Sequence, residues 1–93
     1  MNKLTDEDAR SRLASLPGWR IESGQLLKTF QFKDFVAALR FVNQIGDAAE
    51  AAGHHPDIDI RYNRVGLALV THDAGGLTGK DFDLAGRANE LIA

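Results

Sequence analysis

Residues 57–70 read DIDIRYNRVGLALV. Apolar and polar residues alternate on both sides of a short polar break, the signature of two half-buried strands joined by a tight turn. A two-residue turn at Asn63-Arg64 pairs Tyr62 with Val65, Ile60 with Leu67 and Ile58 with Leu69. All of these side chains then share one face, with Asp57, Asp59, Arg61, Gly66, Ala68 and Val70 on the other. A slip of one residue would set apolar residues against the wrong side, so the alternation calls for an antiparallel hairpin with one buried face.

Outward from this hairpin the chain divides into short elements. Thr5 followed by Asp6-Glu7-Asp8 is a helix start, with a capping hydroxyl and acids in the first turn. This helix ends before Pro17-Gly18. Residues 19–22 and 26–32 read as strands around the turn residues Ser23-Gly24-Gln25. Lys33-Asp34 opens the longest helix, about residues 33–52, with Phe35, Leu39, Val42, Ile45 and Ala49 at spacings of three and four, and Gly53 stops it. Residues 73–79 carry no pattern. A last helix over residues 78–92 sets Phe82, Ala85, Ala88 or Asn89, and Ile92 near one stripe. The order α-β-β-α-β-β-α implies an α+β fold, a four-stranded antiparallel sheet with three helices packed on one face. The small residues Gly66 and Ala68 on the other face suit pairing with another subunit.

The chain has 93 residues, room for one domain, taken as residues 1–93. A net charge of −2 argues against a direct nucleic-acid binder. No apolar run approaches the roughly 18 residues of a membrane span. The N-terminal MNKLTDEDARSRL has no signal-peptide core, so a cytoplasmic protein is expected. With no cysteine, disulfides, thiolate catalysis and cysteine-ligated zinc are excluded.

The chemistry gathers at the open end of the hairpin. Extending the register sets His55 opposite His72, with His54 alongside and Pro56 stiffening the strand mouth. Three readings stand at this point. The histidines are exposed polar residues, or they hold a metal ion, or they exchange protons. Adjacent strand residues point to opposite faces, which works against one ion shared by His54 and His55, and no H-E-x-x-H spacing occurs. Acid–base work suits imidazole, whose ordinary pKa is roughly 6.5. Asp73, Asp81 and Asp83 are the carboxylates that could orient or polarise a ring, although acids in a first helical turn more often serve the helix dipole. Gly75-Gly76 and Gly79 make the approach to the last helix permissive.

Glu50, three residues, His54-His55-Pro56, then Tyr62, nine residues, His72, eight residues and Asp81 form one constellation. With Gly18-Trp19, FQFKDF at 30–35, YNRV at 62–65 and GLTGKDFDLA at 76–85, it resembles the pterin-4a-carbinolamine dehydratases over nearly the whole chain. The resemblance implies the sheet and three helices read above. It implies dehydration of 4a-hydroxytetrahydropterin to quinonoid dihydropterin, in recycling of the tetrahydropterin used by an aromatic amino acid hydroxylase. It implies no metal and no organic cofactor, and a homodimer or homotetramer. Under it His54 and His72 are the acid–base pair, His55 with Pro56 and Asp57 positions substrate, and Asp81 orients or polarises the site, His72 in particular.

Many members of that family have an aromatic residue where this chain has Ile58, so any wall against the pterin at that place is built differently. Some relatives serve as dimerisation partners of a transcription factor or as assembly chaperones. A non-catalytic, coactivator-like or chaperone-like scaffold is therefore the alternative function.

Overall fold

The computed structural model describes residues 2–93. Its elements are α1 (Asp6–Leu13), β1 (Arg20–Glu22), β2 (Gln25–Gln31), α2 (Phe35–Ala52), β3 (Asp57–Arg61), β4 (Arg64–Leu69), a 3-10 turn at His72–Ala74, and α3 (Gly79–Ile92). The expected order holds. The strands form one antiparallel sheet in the order β1-β2-β4-β3, which leaves β3 at an edge.

The helix starts follow from their caps. Thr5 accepts from Asp8 N–H and Asp34 from Ala37 N–H. Gly53, at φ 64, ends α2 in the left-handed conformation, and the next amide, His54 N–H, reaches back to Ala49 O at 3.1 Å. The exit of α2 therefore aims His54 directly.

The core lies between the sheet and its helices. Leu26 and Phe30 of β2 and Val65, Leu67 and Leu69 of β4 meet Ala38, Phe41, Ile45 and Ala49 of α2 and Phe82, Ala85 and Ala88 of α3. Phe41 stacks between Phe30 and Phe32, with ring centroids 4.7 and 5.1 Å away. That aromatic slot sets the rotation of α2. Its buried stripe runs through Ala38 and Phe41, whereas Phe35 and Leu39, expected inside, are exposed. Ile92, placed on the buried stripe of α3 by its spacing, is exposed in the last turn of that helix.

Trp19 packs in the core with its Nε1–H on Asn89 Oδ1 at 3.0 Å. Lys28 Nζ donates to the same oxygen and to Pro17 O, while Asn89 Nδ2 also donates to Pro17 O. This clasp fastens the first hairpin to α3. Burial lowers the Lys28 ammonium below its ordinary value of 10.5.

The second hairpin departs from the expected register by two residues. Arg61 pairs with Arg64, Ile60 with Val65 and Ile58 with Leu67, so Tyr62 and Asn63 make the turn, with Tyr62 at φ 50. The cause lies in the neighbouring strand. Asn63 Nδ2 donates to Phe32 O and Phe32 N–H donates to Asn63 O, both at 2.8 Å, which docks the turn on the end of β2. A shift of two preserves the faces, so Val65, Leu67 and Leu69 are buried as expected. Ile58 and Ile60 point to the same side but stand on the edge strand, each 38% exposed. Among the described residues no helix is long and apolar enough to cross a membrane.

Candidate active site

β3 begins at Asp57, so His54 and His55 lie outside the ladder and neither is a cross-strand partner of His72. They occupy the connection between α2 and β3, and their rings separate. His54 turns inward, its side chain 11% exposed, and its Nε2 lies 2.5 Å from Asp81 Oδ1. His55 turns outward and meets the Glu50 carboxylate, one helical turn back on α2. His72 follows β4 and opens the exposed 3-10 turn, whose loop is closed by the Thr71–Gly76 bridge.

Asp81 is the hub. Its side chain is fully buried. Oδ1 meets His54, while Oδ2 accepts from Thr78 N–H at 2.9 Å and from Thr71 Oγ–H at 2.8 Å. Thr78 Oγ1 lies 2.8 Å from Thr71 Oγ1. Since the Thr71 proton is committed to Asp81, Thr78 donates to Thr71. Thr78 and Asp81 also form the capping box of α3, with Thr78 accepting from Lys80 N–H. Among the described residues no buried side-chain nitrogen or oxygen is left without a partner. Burial of this carboxylate is tolerable because several donors replace its water.

One expectation changes here. Asp81 bonds His54, not His72; it reaches His72 only through Thr71, the residue before it. The reason is depth, because the first turn of α3 lies beneath the α2–β3 connection while His72 rides on the exposed turn above. Asp83, the alternative by residue type, is exposed on the far side of α3. Asp57 starts β3 on the outer sheet face opposite Ala68, and Pro56 is half-buried just before it.

Thr71, Thr78 and the contact of Glu50 with His55 did not emerge from sequence reasoning. Two signals pointed to the threonines. Thr78-x-x-Asp81 is a capping-box pattern. Thr71 continues the inward parity of Val65, Leu67 and Leu69, so a hydroxyl on that face requires a buried partner. Among the described residues no three potential ligands gather to hold a metal ion.

In the tautomer whose Nε2–H donates to Asp81, Nδ1 is an acceptor, and the carboxylate offsets the charge the ring gains if Nδ1 takes a proton. This is the arrangement of an oriented general base.

Comparison with known proteins identifies the family and the fold. The family model for pterin 4 alpha carbinolamine dehydratase matches residues 2–91. A protein of Acidobacterium capsulatum is 56% identical over 92 residues, covering 99% of this chain and 100% of the relative. One of Chloroflexus aurantiacus is 52% identical over 92 residues, covering 99% of each. Both bear the name "Putative pterin-4-alpha-carbinolamine dehydratase". Among solved structures, a transcriptional coactivator/pterin dehydratase from Brucella melitensis superposes with a TM-score of 0.96 at 34% identity, covering 99% of this chain and 100% of that one. A pterin dehydratase-like RuBisCO assembly factor of the alpha-carboxysome shares the fold, with a TM-score of 0.70 at 23% identity over 82% of this chain and 90% of its own.

Proposed function

Because the chain belongs to the pterin 4 alpha carbinolamine dehydratase family, we propose that it dehydrates a 4a-hydroxytetrahydropterin to the quinonoid dihydropterin by histidine acid–base catalysis. The observation that carries this reading is the 2.5 Å contact of His54 Nε2 with the buried Asp81 carboxylate. The cap of α3 accounts for the bonds at Asp81 Oδ2, whereas the imidazole at Oδ1 is not needed for the cap.

The substrate is a carbinolamine, so N5 can expel the hydroxyl on the neighbouring C4a. His54 Nδ1 takes the proton from N5. The electrons of the N5–H bond form the C4a–N5 double bond, and the C4a–O bond breaks. His72 delivers a proton to the departing oxygen, and water leaves. His72 is exposed and regains its proton from solvent, while the nearly buried His54 relies on Asp81 to offset its charge. Each proton transfer is worth about 10²–10⁴-fold. His55, held by Glu50, with Pro56 and Asp57 forms the wall that positions the pterin. An aromatic amino acid hydroxylase is the class of reaction that supplies such a substrate.

The test is direct. Purified protein should accelerate dehydration of 4a-hydroxytetrahydropterin, followed by the absorbance of the quinonoid product. His54→Ala and His72→Ala should each lose most of that rate. An inactive wild type would sink the enzyme reading and favour the scaffold.

The reading includes self-association. β3 is an unpaired edge, and Ile58, Ile60 and Tyr62 stand on it or beside it with substantial exposure, as do Phe35 and Val36 at the start of α2. Bare apolar edges of this kind are commonly covered in assemblies. A homodimer or homotetramer built through this edge and α2 accounts for them.

A further inference from the structure

We propose that a groove between α1, the β1–β2 hairpin and the 3-10 turn receives the C6 substituent of the substrate pterin, and that this substituent is anionic. The proposal rests on the function inferred above. The groove has a volume of about 800 Å³, within the usual range for small-molecule sites of roughly 300–1,000 Å³. His72 is part of its wall. A pterin ring that receives a proton from His72 therefore lies at the groove's mouth, and the ring's substituent has this space to enter.

The lining defines the class of ligand. The floor is apolar, built from Leu13, Trp19, Ile21 and Leu77, all buried or half-buried. Lys3, Arg10 and Arg20 also line the groove, against a single acid, Asp6. Arg20 is engaged with Glu22 at 2.9 Å. Lys3 and Arg10 make no ion pair among the described residues and are available to a ligand. The chain as a whole carries −2, so a cationic rim here is a local segregation of charge and does not reflect a basic protein. Gly76 helps to place it. A Cβ on Gly76 would stand 2.9 Å from Lys3 Cδ, so its missing side chain leaves room for the Lys3 stem to lie along the groove wall. An apolar floor with cations at its rim fits a tail that begins as an apolar or aromatic spacer and ends in carboxylate or phosphate.

The experiment is equilibrium fluorescence titration of the full chain with three stable 7,8-dihydropterins that differ only at C6. They are 6-methyl-7,8-dihydropterin, which is neutral; 7,8-dihydrofolate, with an aromatic spacer and two carboxylates; and 7,8-dihydroneopterin 3′-monophosphate. At low ionic strength at least one anionic probe should bind about tenfold more tightly than the methyl probe, a preference that shrinks in 0.3 M salt. The double variant Lys3→Ala/Arg10→Ala should reduce the preference to about twofold or less while leaving the methyl probe unchanged. The tighter of the two anionic probes tells carboxylate from phosphate. Equal affinity for all three probes, or a preference that survives in the double variant, overturns the groove assignment and leaves the dehydratase reading standing. If the wild type binds none of the probes, both fall.

Discussion

His54 and Asp81 are 27 residues apart in the chain, and their side chains meet at 2.5 Å with the carboxylate wholly shielded from solvent. The contact exists because two helix termini converge. The left-handed Gly53 at the end of α2 turns His54 inward, and the capping box at the start of α3 holds Asp81 beneath it. The proposed acid–base chemistry depends on both ends staying in place.

Asp81→Asn should leave the fold intact and remove most of the activity. An amide can present N–H where the carboxylate presented oxygen, which favours the wrong His54 tautomer and cannot offset its charge. The expected loss in kcat is about 10²-fold or more. Stability should fall by about 1–3 kcal/mol through the weakened cap and buried bonds. Steady-state dehydration kinetics with a urea melt separate the two effects. An active Asp81→Asn protein would exclude this carboxylate from catalysis.

Thr71→Val keeps the side-chain shape and deletes the hydroxyl that donates to Asp81 Oδ2. Asp81 keeps its bonds from Thr78 N–H and His54, so the rate should fall less than in Asp81→Asn. Thr78 Oγ–H loses its acceptor, and the stability cost should be about 1–3 kcal/mol. Thr71→Ser, retaining the donor, should recover most of the rate. Parallel kinetics on the three proteins check the order.

Gly53→Ala tests the exit of α2. At φ 64 an added Cβ is disfavoured by about 1–2 kcal/mol, although no atom lies within 4 Å to obstruct it. The penalty is conformational, and it falls on the residue that aims His54. Denaturation midpoints should drop accordingly, with kcat reduced together with stability. An unchanged midpoint would show that α2 can end in another way.

Lys28 supplies a pH signature. Its folded-state pKa is lowered by desolvation while the unfolded value is 10.5. Between those two values the unfolded chain binds more protons, so stability rises with pH across that window. Below it, the partly desolvated charge detracts from stability. Lys28→Met should remove this rise. The acceptors it leaves, Asn89 Oδ1 and Pro17 O, keep donors from Trp19 Nε1 and Asn89 Nδ2. Urea midpoints of both proteins at pH 8.5 and 10.5 give the comparison. Parallel shifts in the two would exclude Lys28 as the source.

Ile60→Lys on β3 should convert an oligomer to a smaller species in sedimentation velocity while leaving the monomer folded, since the side chain is 38% exposed on an edge strand. An unchanged sedimentation coefficient would place the interface elsewhere.

Much of this molecule was legible in its residues. Alternation in 57–70 identified a hairpin with one buried face, and Thr5, Asp34 and Gly53 marked where helices begin or end. Local chemistry decides these features, since caps and side-chain parity depend on residues a few positions apart. The constellation of His54, His55, His72 and Asp81 was legible as a set through its spacing.

The partners within that set were not legible, and neither was the register. Both depend on elements distant in sequence. Asn63 bonds to Phe32, which moves the turn by two residues, and no argument confined to two strands contains β2. Phe41 fits between Phe30 of β2 and Phe32 just after it, and that slot buries Ala38 and Phe41 in place of Phe35 and Leu39, while Val42, Ile45 and Ala49 of the expected stripe stay against the core. Packing of α3 beneath the α2–β3 connection gives Asp81 to His54 and leaves His72 on the surface. The sequence by itself determined where helices begin and end and which strand faces are apolar, because side-chain period and caps are local. Only the tertiary structure decided which of the site's side chains touch, because a buried carboxylate takes the donors that packing brings within reach.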